Sequence, residues 1–304
     1  MLYRGISSNH KEDGTILGEL EQATGIWSCH LTDFYPSADD ARLRLQWASR
    51  RFTTRPEDIS YSLFGVFGLH IPVLYGESTG KALGRLLAEV ISKSGDTLIL
   101  DWVGQSSAFH SCFPATITPY QTLPSQHPLP DPATPPRFGS LWFGWPWFLT
   151  FRAVRQMHQA LFRLPLTQFI NFRLILPCIV HRINTISWTR VHNGTAAHLH
   201  RIEAMGLEPI EIALSQPLEI TSGTKVPYIL IRPWHSSFRD ASVMADDTSA
   251  CRWLMRMREP FSALLLQGLA HNEYKRVASF CHILARPTNS TGVLKGKVTT
   301  LTIV

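Results

Sequence analysis

The sequence lacks most of the patterns that announce a chemistry. No Cys-x-x-Cys pair occurs, and the five cysteines (Cys29, Cys112, Cys178, Cys251 and Cys281) are odd in number and widely spaced. That argues against a zinc ribbon or a disulfide framework and leaves reduced thiols, the expectation for a cytoplasmic protein. No window of about 18 apolar residues is present, so no stable membrane insertion is expected. The opening MLYRGISSNHKEDG has no apolar signal-peptide core. There is no G-x-S-x-G elbow, no G-x-x-x-x-G-K-[ST] phosphate loop and no G-x-G-x-x-G after a strand. No internal repeat is visible. Charge is scarce too, at 17% of residues. A surface short of charge predicts an apolar face meant for a partner.

What is present is ample core material. The apolar fraction of the 304 residues is 44%, enough for one large domain or two of ordinary size. Net charge is +6, but the Lys and Arg are scattered, and the densest run is Arg50-Arg51 followed by Arg55. A nucleic-acid footprint should cluster on one face, so no nucleic-acid partner is expected.

The pattern along the chain predicts an α+β protein. A helical region over 1–118 leads to a Pro- and Trp-rich linker or insert over 119–147. A mostly antiparallel β-rich region with one or two helices fills 148–304. The predicted helices run from about Lys11 to Thr24, Asp39 to Arg51, Thr54 to Gly68 and Lys81 to Ser94, each with a stripe at helical spacing. Asp39 or Asp40 is placed to cap the second. Thr54 and Glu57 fit a capping box for the third, with Pro56 in its first turn. Gly25, Gly68 and Gly95 are placed to stop helices. DTLILDWVG reads as a strand. Further helices are expected at Phe148–Leu164 and Thr248–Arg258. Short apolar runs after residue 168 read as strands, with a hairpin over Ala263–Arg286 turning near His271-Asn272.

Candidate chemistry is thin. His198 and His200 suit one strand face, but no third ligand stands at a helpful spacing, so no metal is expected. Cys281-His282 are neighbours, and on a strand neighbours point apart. An Arg–carboxylate set of Arg50, Arg51, Asp58 and Glu77 could hold a ligand bidentately, as in a hydrolase or nucleotide-processing enzyme, or could pin a loop to a helix. Trp47 and Tyr75 could wall a pocket or fill a core. The run LWFGWPWF could dock on a membrane surface or be buried. No cofactor and no catalytic residue is indicated.

One segment is far more specific. WASRRFTTRPEDISYSLFGVFGLHIPVLYGES, residues 47–78, resembles the segment just downstream of the HET domain in heterokaryon incompatibility proteins of fungi, those of mushroom-forming fungi in particular. The resemblance rests on Trp47, Arg51, Thr54, Arg55, Asp58, Tyr61, Tyr75, Gly76 and Glu77 among other positions. It extends through residues 9–121 and more loosely to C-terminal stretches such as YILIRPW. It implies a role in fungal self/non-self recognition and programmed cell death. The HET motifs L-S-Y-x-W-G, W-I-D-x-x-C-I and R-x-W-T-x-Q-E are absent. The resemblance therefore implies a non-catalytic regulatory or coupling fragment with a protein partner, the HET module being the candidate. The nine named residues would form its structural or binding motif.

Overall fold

The computed structural model describes residues 13–122, 147–193, 195–218, 227–235, 246–289 and 291–304. Helices dominate the first part: α1 (Gly14–Thr24), α2 (Ser28–Thr32), α3 (Ala41–Ala48), α4 (Asp58–Tyr61), α5 (Phe64–Phe67) and α6 (Thr79–Ser94). Most of the predicted Pro- and Trp-rich stretch lies outside the described residues. Beyond it come α7 (Trp147–Phe162) and α8 (Asp247–Arg258). The strands are β1 (Gln168–Ile170), β2 (Arg173–Asn193), β3 (Thr195–Ala204), β4 (Ile210–Leu214) and β5 (Tyr228–Pro233). They continue with β6 (Phe261–Ser262), β7 (Leu264–Gly268), β8 (Glu273–Val277), β9 (Leu284–Ala285) and β10 (Lys297–Ile303). The α+β expectation holds.

The longest N-terminal helix, α6, follows its sequence pattern. Ser78 caps it by accepting from the Lys81 N–H, and Gly95 ends it at φ 67°. Leu83, Leu86, Leu87, Val90 and Ile91 are buried. Gly84 is there for contact, since a Cβ would stand 2.4 Å from the Phe109 ring.

Four local expectations are corrected. The helix predicted from Thr54 to Gly68 is two short helices with a turn at Ser62-Leu63. The break lets Leu63, Phe64 and Phe67 all enter the core. Its capping box does not form: Thr54 is exposed, and the Glu57 carboxylate accepts instead from the Gly76 N–H at 3.4 Å. Neither Asp39 nor Asp40 caps α3. Asp40 is left-handed (φ 50°) with no side-chain cap, and Asp39 accepts from the Ser37 hydroxyl. Finally, the run predicted as a strand forms a 3-10 turn at Thr97–Leu100. Asp96 accepts from the Leu98 N–H, and Arg276 donates to the carbonyls of Leu100 and Trp102. With side chains serving those backbone groups, no neighbouring strand is needed.

The sheet turns back on itself. Long β2 pairs with β10 through residues 174–180, with β5 through 178–182 and with β3 through 183–193. Beyond β5 come β7 and β8, and β8 meets β10 in a short parallel contact at Glu273 and Tyr274. Five strands thus close a ring, while β3 and β4 extend one side. The expected hairpin is β7–β8, turning through His271 and Asn272, both at positive φ.

Closure explains why these strands read as continuous apolar runs. On β7, Leu264 and Leu266 join one buried cluster and Leu265 another; on β5, Ile231 and Leu230 divide in the same way. Alternate residues face opposite sides, and both sides are covered. The first cluster also contains Leu45, Phe67, Leu83 and Leu87, so helices and sheet share a core. A third forms where Val154 and Leu161 of α7 meet Trp253 and Met257 of α8.

Buried polar groups tie the irregular segments down. Arg276 stacks its guanidinium 4.1 Å from the Trp102 ring centroid while donating to Leu100 and Trp102. Arg42 donates to the carbonyls of Asp101, Tyr120 and Thr122. Arg44 donates to those of Tyr35, Asp39 and Val66. His110 accepts from the Cys112 N–H through Nδ1, so Nε2 carries the proton it donates to the Ile303 carbonyl at 2.9 Å.

Arg276→Met removes two charge-assisted hydrogen bonds from carbonyls that stay in the core. It should lower unfolding free energy by about 2–4 kcal/mol in urea melts, with Lys a poor substitute for the planar fork. Burial holds the His110 and His181 imidazoles below their ordinary pKa. Below about pH 6.5 the unfolded state binds protons that the folded imidazoles refuse, so stability falls as pH falls. The urea midpoint should drop between pH 7.5 and 5.5, and drop less in His110→Asn.

Candidate functional site

The dense motif of residues 47–78 resolves into a pinned loop. Residues 69–78 connect α5 to α6, and three elements hold them. From α4, the Tyr61 hydroxyl lies 2.7 Å from the Leu74 carbonyl and 2.8 Å from Glu77 Oε1. From α6, Arg85 forms a 2.6 Å ion pair with Glu77 and also donates to the Pro72 carbonyl. From the turn before α4, Glu57 accepts from Gly76, and the Arg55 guanidinium sits 4.9 Å from the Tyr75 ring centroid. Tyr61 and Tyr75 meet edge to face at 5.9 Å. Gly76 turns the chain at φ 89°, which a side chain would resist.

The electrostatics are those of a structural lock. Glu77 and Arg85 are 10% and 20% exposed, so their pair is less screened than a surface one. The Tyr61 phenol is held above its ordinary pKa by desolvation and by its bond to Glu77. A carboxylate already shared by an arginine and a phenol is poorly placed to act on a ligand. Yet the loop's tip faces outward: Val73, Leu74 and Tyr75 are 45%, 51% and 66% exposed. Phe52, between α3 and α4, is 92% exposed.

Five of the nine expected motif residues therefore come together or act on the loop directly: Arg55, Tyr61, Tyr75, Gly76 and Glu77. Trp47 sits elsewhere, on α3, its ring 5.2 Å from His30 and 6.0 Å from the Arg44 guanidinium. Arg51 and Thr54 are exposed, and Asp58 opens α4. Arg85, which completes the lock, was not singled out by sequence. It lies nearly two turns into α6, eight residues beyond Glu77, where an exposed helical arginine and a clamp look alike.

The remaining candidates have other duties. His200 takes the Leu218 N–H on Nε2 and faces the His198 carbonyl through Nδ1. Among the described residues no group of three His, Cys, Asp or Glu side chains could hold a metal. The Cys281 thiol is raised by burial and donates to the Ala278 carbonyl, while His282 turns to Ser262. Ser262 donates to Asp101 Oδ1 at 2.9 Å and lies 3.2 Å from His282 Nε2. A nucleophilic serine gives its proton to the imidazole. Here that proton goes to the carboxylate, so this chain of groups is not a triad. No described helix is long and apolar enough to cross a membrane.

Tyr61→Phe and Arg85→Met should each loosen the loop without unfolding α6. The expected cost is about 1 kcal/mol for the phenol and about 1–3 kcal/mol for the arginine. Amide hydrogen exchange at Gly76 and Glu77 should quicken in both, with exchange at Leu86 and Leu87 unchanged.

No family model and no solved structure matches the chain. Among curated proteins, 52 residues are 48% identical to a stretch of vegetative incompatibility protein HET-E-1 from Podospora anserina. The aligned stretch is 17% of this chain and 4% of that protein, so the chain spans only a small part of its relative. Over that stretch the chain is related to a fungal heterokaryon incompatibility protein.

Proposed function

We propose that this chain is a non-catalytic regulatory or coupling region of a fungal incompatibility system, cytoplasmic, with loop 69–78 as its docking face for a HET module. The observation that carries the reading is the 52-residue likeness to a vegetative incompatibility protein. The pinned loop adds a physical reason. Val73, Leu74 and Tyr75 are outward-facing apolar groups on a backbone held from three sides, so little ordering cost falls on binding. A tyrosine on such a rigid tip is the kind of side chain that dominates protein interfaces. In this reading the chain senses or transmits the state of a partner in self/non-self recognition and cell death and performs no bond chemistry itself. The competing hydrolase or nucleotide-processing reading needs Glu77 at a ligand, and Arg85 and Tyr61 occupy that carboxylate.

Purified chain should bind a recombinant HET module, taken from a protein in which it directly precedes this motif, in biolayer interferometry. Tyr75→Ala and Leu74→Asp should weaken that binding about tenfold or more. Leu269→Asp, on the β7–β8 turn, should leave it unchanged. Absence of binding, or a Tyr75→Ala variant that binds like the parent, would sink the proposal.

A further inference from the structure

Away from the pinned loop, a cleft of about 510 Å³ opens between the 101–122 segment and the loop that follows β8. We infer that this cleft binds a neutral, hydroxyl-rich small molecule of mono- to disaccharide size. The volume falls within the range of about 300–1,000 Å³ typical of small-molecule sites. Asp101, Thr118, Gln121 and His282 line it, with Val103 and Pro119 as apolar wall.

Charge decides the ligand class. Among the described residues no Lys or Arg lines the cleft, so a phosphate or carboxylate would enter without a counter-charge from them. A cationic amine is disfavoured as well. Asp101 is within Coulombic reach of the Arg42 and Arg276 guanidiniums buried behind it, which offset its negative charge. What is left is a set of hydrogen-bonding groups rich in acceptors. Ser262 gives its proton to Asp101, so His282 must donate to Ser262 through Nε2, and Nδ1 is then the acceptor of that tautomer. Gln121 gives one of its two amide N–H groups to the Ser49 carbonyl, which leaves its oxygen as acceptor and one N–H as donor. Threonine hydroxyls both give and take. Hydroxyl groups of a ligand, each one donor and two lone pairs, match this set better than any ion.

The site is also preformed. Gly104 donates to the Ser279 carbonyl at 2.8 Å, joining the two walls, and the Ser262–Asp101 bond joins them again. The Trp102 indole N–H is fixed on the Cys112 carbonyl at 2.9 Å. A ligand therefore meets walls that need little ordering. None of these residues belongs to loop 69–78, so the site and the docking face stand or fall separately.

The test is an NMR titration of the full chain with glucose, ribose and trehalose, using inorganic phosphate and spermidine as charged comparators. The His282 ring and Thr118 methyl signals should shift saturably with the sugars, with dissociation constants of about millimolar. Thr118→Arg, at an exposed position, should fill the cleft and weaken binding about tenfold or more while the melting temperature holds. Asp101→Asn should weaken it in the same direction. No saturable shift with any sugar would overturn the inference. So would shifts given only by phosphate or spermidine, or sugar binding undiminished in Thr118→Arg.

Discussion

The arrangement depends on guanidinium groups buried against backbone carbonyls. The segment from Asp96 to Thr122 has almost no ladder partners of its own, yet it lies between the helices and the sheet. Arg42 reaches it from α3 and Arg276 from β8, and between them they serve the carbonyls of Leu100, Asp101, Trp102, Tyr120 and Thr122. A planar fork with five donors is the side chain best suited to satisfying several irregular carbonyls at once. Trp102 and Tyr120 supply the aromatic faces on which those cations rest. Without both arginines, the helical part and the strand ring would meet across unsatisfied carbonyls. The same use of charge bears on the net +6. Arg42, Arg44 and Arg276 are buried on carbonyl oxygens, so part of the positive excess lies in the interior and creates no basic surface.

Much of this was legible in the sequence, and the reasons differ from element to element. α6 could be read because its cap, stripe and stop agree. The strands could be read because β-branched and leucine-rich runs are separated by turn residues, and the β7–β8 hairpin was placed at its actual turn. Thr97–Leu100 was misread because an apolar run of that length fits a strand or a turn equally. What decides is Arg276, more than 170 residues away. The capping box at Thr54 failed for a similar reason: Glu57 has a better use in holding Gly76. In the candidate site, Tyr61, Tyr75 and Glu77 were visible as a dense motif, but Arg85 was not. The Asp101–Ser262–His282 chain was wholly hidden, since no local spacing joins residues brought together by the fold.

Pinning and exposure at loop 69–78 serve opposite ends with adjacent atoms. The backbone is held by Tyr61, Arg85 and Glu57, while the side chains of Leu74 and Tyr75 are left in solvent. A protein gains nothing for its own stability by fixing apolar groups outward, and the low charge content of the chain leaves them poorly shielded. Rigidity of this kind would favour recognition by shape, because a partner docking there would meet one surface and not an ensemble.

The ring of strands carries a consequence for how the chain reaches this state. β2 bonds to β10 across a separation of more than a hundred residues, and the parallel contact between β8 and β10 is only two residue pairs long. Closing that seam costs loop entropy before it returns any burial, so it belongs late in folding. Until β10 arrives, the 174–180 edge of β2 stands open as a template for the wrong strand. The interval between synthesis of β2 and arrival of β10 is therefore the period in which this protein is most exposed to misassembly, and a chaperone that shields a strand edge would matter most then.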